Sequence, residues 1–277
     1  MIASNTTKIK LATAILIAPL RNPALLAKTA ASLDAISKGR LELGVGMGWQ
    51  KEEFDTAGVN FEDRAEIFWE TLDICKLLWQ DSPISFHGKH FHFDDIWCHP
   101  KPAQGQDLPL LFGLKMTPEN AQRIAKVGHG WIPIKTSRDF ISQGRDILAE
   151  AFINEGRQDQ PRIRGQLPTC VDDNGVPNID LTLNELEKSM AAGLDEVEVF
   201  PINFVQAPDD IYKVLKLISD LKKSLIRNLS QRIYLLCMHT SSINKTFLYC
   251  DRKICVSVQS VHLVGLLIHT TTQLNPQ

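Results

Sequence analysis

A glycine-rich segment is the first feature of the sequence with chemical potential. Gly44, Gly46 and Gly48 alternate with larger residues directly after an apolar run. Without a Cβ atom, such residues let the backbone approach a flat ligand closely. The spacing is GxGxG and the next helix begins well downstream, so the dinucleotide-binding fingerprint is not met. Tight packing of a strand against its loop explains the same pattern equally well.

A second segment, Gly113–Thr117, stands immediately before Pro118 and Glu119, which open a predicted helix. Free backbone N–H groups at a helix start bind phosphate. Lys115 adds a positive charge to the same segment. A generic helix start is the alternative interpretation.

The histidines invite a metal interpretation. Four of the eight lie in one stretch together with a cysteine: His87, His90, His92, Cys98 and His99. His90 and His92 share one strand face, so two ligands could converge. No second pair at a fixed spacing completes a set of four, and a solvated hairpin is the favoured interpretation. We predict no metal site.

Composition excludes several classes of protein. The 277 residues contain 30 Lys and Arg against 32 Asp and Glu, and 44% are hydrophobic. This is the composition of an ordinary globular protein, with no charge excess that would drive binding to nucleic acid or to a membrane surface. No apolar run is long enough to span a membrane. The six cysteines are scattered without CxxC spacing, which favours reduced thiols in the cytoplasm.

The last 56 residues differ from the rest. The range 222–277 holds seven Lys or Arg and one acidic residue, Asp251, whereas the rest of the chain holds 23 basic and 31 acidic residues. Its apolar residues follow no sustained helical period. We predict two regions, a folded domain over 1–221 and a basic, poorly structured or non-native tail over 222–277 that adds little to the core. A basic arm that binds a partner is the alternative.

Strand and helix patterns alternate six times, which predicts an α/β fold with parallel strands. The predicted strands are Lys8–Ala18, Leu41–Gly46, Leu108–Phe112, Gly130–Ile134, Arg162–Thr169 and Glu196–Phe200. A stretch around Phe86–Trp97 is predicted to form a hairpin outside the core. A closed (β/α)8 barrel needs eight units. The pattern therefore leaves two solutions, an open sheet or a barrel that lacks two units.

The segment Ser37–Trp49, SKGRLELGVGMGW, resembles the luciferase-like monooxygenase family. Arg21-Asn22-Pro23, Pro100-Lys101-Pro102 and His129-Gly130-Trp131 fit the same family. The resemblance implies a TIM barrel and a flavin- or coenzyme F420-dependent oxidoreductase or monooxygenase that acts on a small organic substrate. Among its branches, the F420-dependent oxidoreductases, with FMN-using relatives, are the most similar.

The resemblance also implies which residues hold the cofactor, F420 or FMN. They follow three strands: Thr13, Ala14 and Ile15; Gly46, Met47 and Gly48; and Gly113, Leu114, Lys115 and Met116. In the family, the place matched by Ala14-Ile15 carries a non-proline cis peptide bond against the flavin ring. Leu114 departs from the usual paired glycines at the phosphate site.

Family members normally begin with two further βα units, so the resemblance implies a barrel without its front, from strand three to strand eight. We therefore expect the third and eighth strands to be open edges. The acid–base residues are expected in the absent units, which leaves the catalytic residues unknown. We expect the chain alone to bind cofactor poorly and to turn over nothing. A non-catalytic remnant or structural subunit is the alternative function, and a homodimer is left open.

Overall fold

The computed structural model describes residues 2–135, 137–205, 207, 210–214, 216, 232–237 and 254–258. The strands are β1 (Lys10–Thr13), β2 (Leu16–Ile17), β3 (Leu41–Gly46), β4 (Ile84–His87), β5 (His92–Ile96), β6 (Leu110–Phe112), β7 (Gly130–Trp131), β8 (Arg162–Gln166), β9 (Glu196–Val199), β10 (Arg232–Cys237) and β11 (Ile254–Val258). The helices are α1 (Ile2–Asn5), α2 (Pro23–Ser37), α3 (Lys51–Ala57), α4 (Arg64–Gln80), α5 (Pro118–Val127), α6 (Arg138–Asn154), α7 (Ile179–Asn184) and α8 (Leu186–Ala191).

Six parallel strands form a half-barrel, as the alternation of elements predicts. β1, with its short continuation β2, pairs with β3, and the order continues through β6, β7, β8 and β9. All six residues of β3 are buried, as expected for a strand covered on both faces. The fold is therefore α/β and TIM-barrel-like. Among the helices in the described ranges, none combines the length and apolarity that a bilayer-spanning segment needs.

The two edges expected to be open are paired in the structure. β10 lies parallel to β9, β11 lies parallel to β10, and β11 also pairs with β1, so the strands form a ring. The expectation of open edges is wrong because unpaired rows of N–H and C=O groups accept any segment that can form a strand. The sequence gives β10 and β11 the apolar and β-branched residues that suit this position. The remainder of the predicted tail lies outside the described residues.

The hairpin predicted around Phe86–Trp97 is formed by β4 and β5, which pair antiparallel. Its turn is held by Glu70 on α4, whose carboxylate accepts hydrogen bonds from the backbone N–H groups of Lys89, His90 and Phe91. The hairpin therefore packs beside α4 and outside the ring.

The SKGR part of the most specific sequence segment has a structural role. Lys38 and Gly39 take left-handed backbone conformations after α2. The following Arg40 donates from its guanidinium to the backbone carbonyls of Ala3, Thr6 and Ile9. Arg40 thus ties α1 and the start of β1 to the junction between α2 and β3.

Candidate functional site

The predicted ligand-facing segments meet at the carboxyl ends of adjacent strands, where the sites of such barrels lie. Thr13 ends β1, and its hydroxyl donates to the carbonyl of Gly44 on β3 over 2.8 Å. The peptide bond between Ala14 and Ile15 is cis, as the resemblance predicts. Ile17 on β2 then pairs with Gly46 at the end of β3.

The Ile15 side chain explains why two positions in these segments are occupied by glycine. A Cβ atom on Gly46 would overlap Cδ1 of Ile15, and a Cβ on Gly113 would lie 2.7 Å from the same atom. Real Cβ atoms essentially never come that close to another heavy atom. The close approach predicted for these glycines is therefore an approach to the neighbouring strand. Ile15, Gly46 and Gly113 together form a shelf built from three strands, which we call the Ile15 shelf.

The loop after β3 extends this shelf outward. Met47 is half-buried and packs on the core, whereas Trp49 is 83% exposed. Gly48 between them has φ +78°, a conformation that favours glycine. The loop therefore presents an exposed indole beside the carboxyl end of the strands.

The segment after β6 divides into a buried and an exposed part. Leu114 is buried, and its carbonyl accepts a 2.8 Å hydrogen bond from Nε1 of Trp131. Lys115 is exposed and Met116 is half-buried. Of the residues after Gly113, Lys115 is thus the one that places a charge in solvent before α5.

Some backbone N–H groups at the start of α5 already have a hydrogen-bond acceptor within the protein. Thr117 caps it by accepting a 3.2 Å hydrogen bond from the N–H of Asn120. Glu119 in the first turn accepts hydrogen bonds from its own N–H and from the Thr117 hydroxyl, and these lower the pKa of its carboxyl. A negative charge therefore stands at the helix end that the resemblance assigns to a cofactor phosphate.

Inside the ring, an ionic cluster occupies the amino-terminal half of the strands. It consists of Lys10, Glu42, Arg162, Arg164 and Glu196. Arg164 is fully buried and pairs with Glu42, and its Nε lies 2.7 Å from Oε2 of Glu196. Nη2 of Arg162 lies 2.8 Å from Glu42 and 2.5 Å from Glu196.

The cluster fixes the charge of Glu42. Burial acts to raise the pKa of this carboxyl, but Arg164, Arg162 and Lys10 outweigh burial and hold the pKa well below its usual range. Sequence analysis missed the cluster. Its signal was present as charged residues two apart within apolar strands, in RIRGQ of β8 and EVEV of β9.

Glu198, the second acidic residue of β9, differs from Glu42 in that its pKa is raised. Glu198 is 4% exposed, and among the described residues its Oε1 has no hydrogen-bond partner. Burial raises the pKa of Glu198 to about 7, with Arg164 lowering it and Glu196 raising it further. Glu198 can therefore gain or lose a proton near neutral pH.

The histidine-rich stretch brings one histidine to two acids. The donor atoms of Asp63, Glu66 and His90 lie within 4.8 Å of one another. Nε2 of His90 lies 2.9 Å from Glu66, and the ammonium of Lys89 lies 2.5 Å from the same carboxylate. His87 instead pairs with Asp94 across the hairpin. Lys89 thus supplies a positive charge to Glu66 from the protein itself.

The sequence of the chain is similar to proteins of a known family. The model of the luciferase-like monooxygenase family matches residues 1–175. The chain is 26% identical over 178 residues to an F420-dependent glucose-6-phosphate dehydrogenase of Kineococcus radiotolerans, which covers 62% of the chain and 50% of that relative. It is 35% identical over 108 residues to the pyrimidine monooxygenase RutA of Variovorax paradoxus, over 36% of the chain and 28% of that protein. The chain thus spans half or less of the length of these two curated relatives.

Among solved structures, the chain is similar to the coenzyme F420-dependent tetrahydromethanopterin reductase of Methanopyrus kandleri. The TM-score is 0.58 at 18% identity, over 71% of the chain and 78% of that structure. At this identity the likeness shows a shared fold.

Proposed function

The chain belongs to the luciferase-like monooxygenase family, and from this premise we propose that it binds FMN or coenzyme F420 and acts as an oxidoreductase on a small organic substrate. The observation that carries the proposal is the Ile15 shelf. Three predicted cofactor segments, from β1, β3 and β6, converge there at the carboxyl ends of adjacent strands.

The residues present fit the ring of a flavin-type cofactor. The glycines at 46 and 113 let the Ile15 side chain pack directly against the backbone on either side of it, which gives an apolar area for a ring to contact. A flat aromatic ring system packs well against such a surface. Thr13, Ala14 and Ile15 would hold the ring from one side, and Met47 and Gly48 would border it.

The fit to the phosphate is weaker. Lys115 would supply a positive charge, and the start of α5 supplies backbone N–H groups. The carboxylate of Glu119 opposes an anion at the same place. Phosphate binding therefore depends chiefly on Lys115, and we expect it to be sensitive to salt.

When bound, the cofactor would supply the hydride or oxygen chemistry. The chain's own residues bind and orient it. The expectation of a missing pocket wall rested on two open strand edges, and those edges are paired to β10 and β11. We therefore propose that the full chain binds cofactor, in contrast to the weak binding expected from the sequence.

Titration of the full chain with FMN and with F420, followed by quenching of cofactor fluorescence, tests this function. Saturable binding of either cofactor is the expected result. A matched variant, Gly113→Val, moves Ile15 and disrupts the shelf, so it should weaken binding, whereas Ala103→Val, at an exposed position away from the shelf, should not. Absence of saturable binding to both cofactors would refute the proposal.

A further inference from the structure

Glu198 is a polar side chain on the inner face of the ring, near the end of a strand that the proposed cofactor site does not use. It follows Glu196 by two residues on β9, so both side chains leave the strand on the same side. Glu196 meets Arg162 and Arg164 inside the ring. Glu198 therefore also faces the interior, one step nearer the carboxyl ends of the strands.

The neighbouring strand shows that this position lies beside the mouth. Gln166 is in register with Glu198 and is the last residue of β8. It belongs to the same face of β8 as Arg162 and Arg164, yet it is half-buried where Arg164 is fully buried. The inward face of β8 thus becomes less buried from Arg164 to Gln166, towards the carboxyl end of the strand.

No side chain in the described ranges satisfies Oε1 of Glu198. Arg164 on β8 directs its Nη2 to Glu42 and its Nε to Glu196. A buried polar atom without a partner is costly, which makes it a natural binding point for a group that arrives later.

The surroundings decide which chemical form of the carboxyl is present. Burial and Glu196 on its own strand raise the pKa of this carboxyl, whereas Arg164 on β8 lowers it. On the other side, Arg232 and Tyr234 of β10 are in register with Glu196 and Glu198. Burial and the carboxylate of Glu196 favour the protonated acid, and that acid carries one O–H that needs an acceptor.

We propose that Glu198 donates a hydrogen bond to the carbonyl oxygen of a small molecule bound in the mouth of the barrel. The inference rests on the proposed function, because the mouth is where cofactor and substrate would meet. Two sources share this chemistry, a ring carbonyl of the flavin or deazaflavin and a carbonyl of the substrate. In either case Glu198 positions the molecule through a neutral donor rather than through a charge.

Three variants of the full chain test the role. Glu198→Gln keeps a donor at the same place, Glu198→Leu removes it, and Glu150→Leu makes the same change at an exposed position of α6. The probes are FMN, F420 and cyclohexanone. We expect the Leu variant at 198 to bind one probe about three- to tenfold more weakly, the worth of one hydrogen bond, and the other two variants to bind like the parent.

Infrared difference spectra supply a readout independent of turnover. The carbonyl band of the bound probe should shift to lower frequency in the parent and the Gln variant, and should not shift in the Leu variant at 198. A shift with FMN or F420 assigns the bond to the cofactor, and a shift with cyclohexanone alone assigns it to the substrate.

The same spectra separate this inference from the proposed function. If the parent binds neither FMN nor F420, the proposed function fails, while cyclohexanone still tests the donor. The parent without probe should show a protonated carboxyl band at pH 6 that both Glu198 variants lack. No such band, or no probe carbonyl shifted by Glu198, overturns the inference.

Discussion

The guanidinium of Arg164 on β8 is hydrogen-bonded to the carboxylate of Glu42 on β3, although β7 and β6 lie between these two strands in the sheet. The contact therefore spans the interior of the ring. With Glu196 and Arg162 it closes the amino-terminal end of the barrel with paired charges and leaves the carboxyl ends for binding.

Replacing Glu42 with Gln should destabilise the protein. Glu42 is 1% exposed and neutralises Arg164, Arg162 and Lys10, so its loss leaves buried positive charge uncompensated. Removing one partner of a buried pair costs about 3–5 kcal/mol. Urea unfolding followed by tryptophan fluorescence measures the change. Glu53→Gln, at an exposed position of α3, should change stability by less than about 0.5 kcal/mol.

His129 should make the stability fall in mild acid. Burial, with Lys76, Arg157 and Arg162 nearby, lowers the pKa of His129 to about 4. Its Nδ1 accepts a hydrogen bond from the N–H of Leu110, which requires the neutral ring. The unfolded chain binds the proton from about pH 6.5 downward and the folded chain does not, so stability is lost as pH falls from 6.5 towards 4.

Between pH 7 and pH 5 the loss due to His129 amounts to about 2 kcal/mol, whereas Glu198, whose pKa is raised to about 7, changes stability in the opposite direction. Urea unfolding at the two pH values measures it. Between the two pH values the parent should therefore lose about 2 kcal/mol relative to His129→Asn, and His99→Asn, at an exposed position, should behave like the parent. An identical pH dependence in all three proteins would rule out His129 as the cause.

The Ile15 shelf predicts a compensating pair of substitutions. Gly46→Ala places a methyl group where Cδ1 of Ile15 lies, so it should cost about 1–3 kcal/mol of stability and weaken FMN or F420 binding. Adding Ile15→Ala removes the conflict and should recover part of the loss. A double-mutant cycle in urea unfolding measures the coupling, and strictly additive effects would contradict the packing described.

Lys115 should discriminate between flavins with and without a phosphate. Lys115→Ala should weaken binding of FMN by about three- to tenfold and leave binding of riboflavin unchanged, because only FMN carries the anion. Raising the salt concentration should reduce the difference. Lys126→Ala, on the same helix but in its last turn, is the control. Equal effects on the two flavins would remove Lys115 from the phosphate site.

Deletion of residues 222–277 tests the two strands that complete the ring. The sequence predicted that this range adds little to the core, whereas β10 and β11 pair with β9 and β1. Their loss exposes two parallel strand edges, so we expect a lower midpoint of thermal unfolding and more aggregation. Light scattering during a thermal ramp reports both. A shortened chain with an unchanged midpoint and no increase in scattering would restore the interpretation of the tail as dispensable.

Local patterns were enough to predict the six parallel strands and the segments that meet at their carboxyl ends. Apolar runs such as Leu41–Gly46 predict buried strands. The carboxyl ends of parallel strands lie at the same edge of the sheet because the strands run in one direction. The resemblance added the position of the cis bond after Ala14.

What remained hidden depends on contacts between distant strands. Nothing near Glu42 in the sequence indicates that Arg164 lies opposite, because register and barrel closure decide which strands face each other. The need for glycine at positions 46 and 113 is also hidden in the sequence. It arises because β1 and β6 lie on either side of β3 and bring Ile15 against both positions. The buried, unsatisfied Oε1 of Glu198 likewise follows from how the strands are arranged around β9 and not from its neighbours in the sequence.

The pair of Glu42 and Arg164 joins residues 122 positions apart in the chain. Closing so long a loop costs conformational entropy, and contacts between distant residues form slowly. Neither charge is stabilised by leaving water until its partner is in place. Desolvation of the cluster is therefore a late event in folding, coupled to completion of the ring. A chain that has not reached this stage keeps both charges hydrated. Only a chain with the correct strand arrangement therefore gains the energy of the buried ion pair.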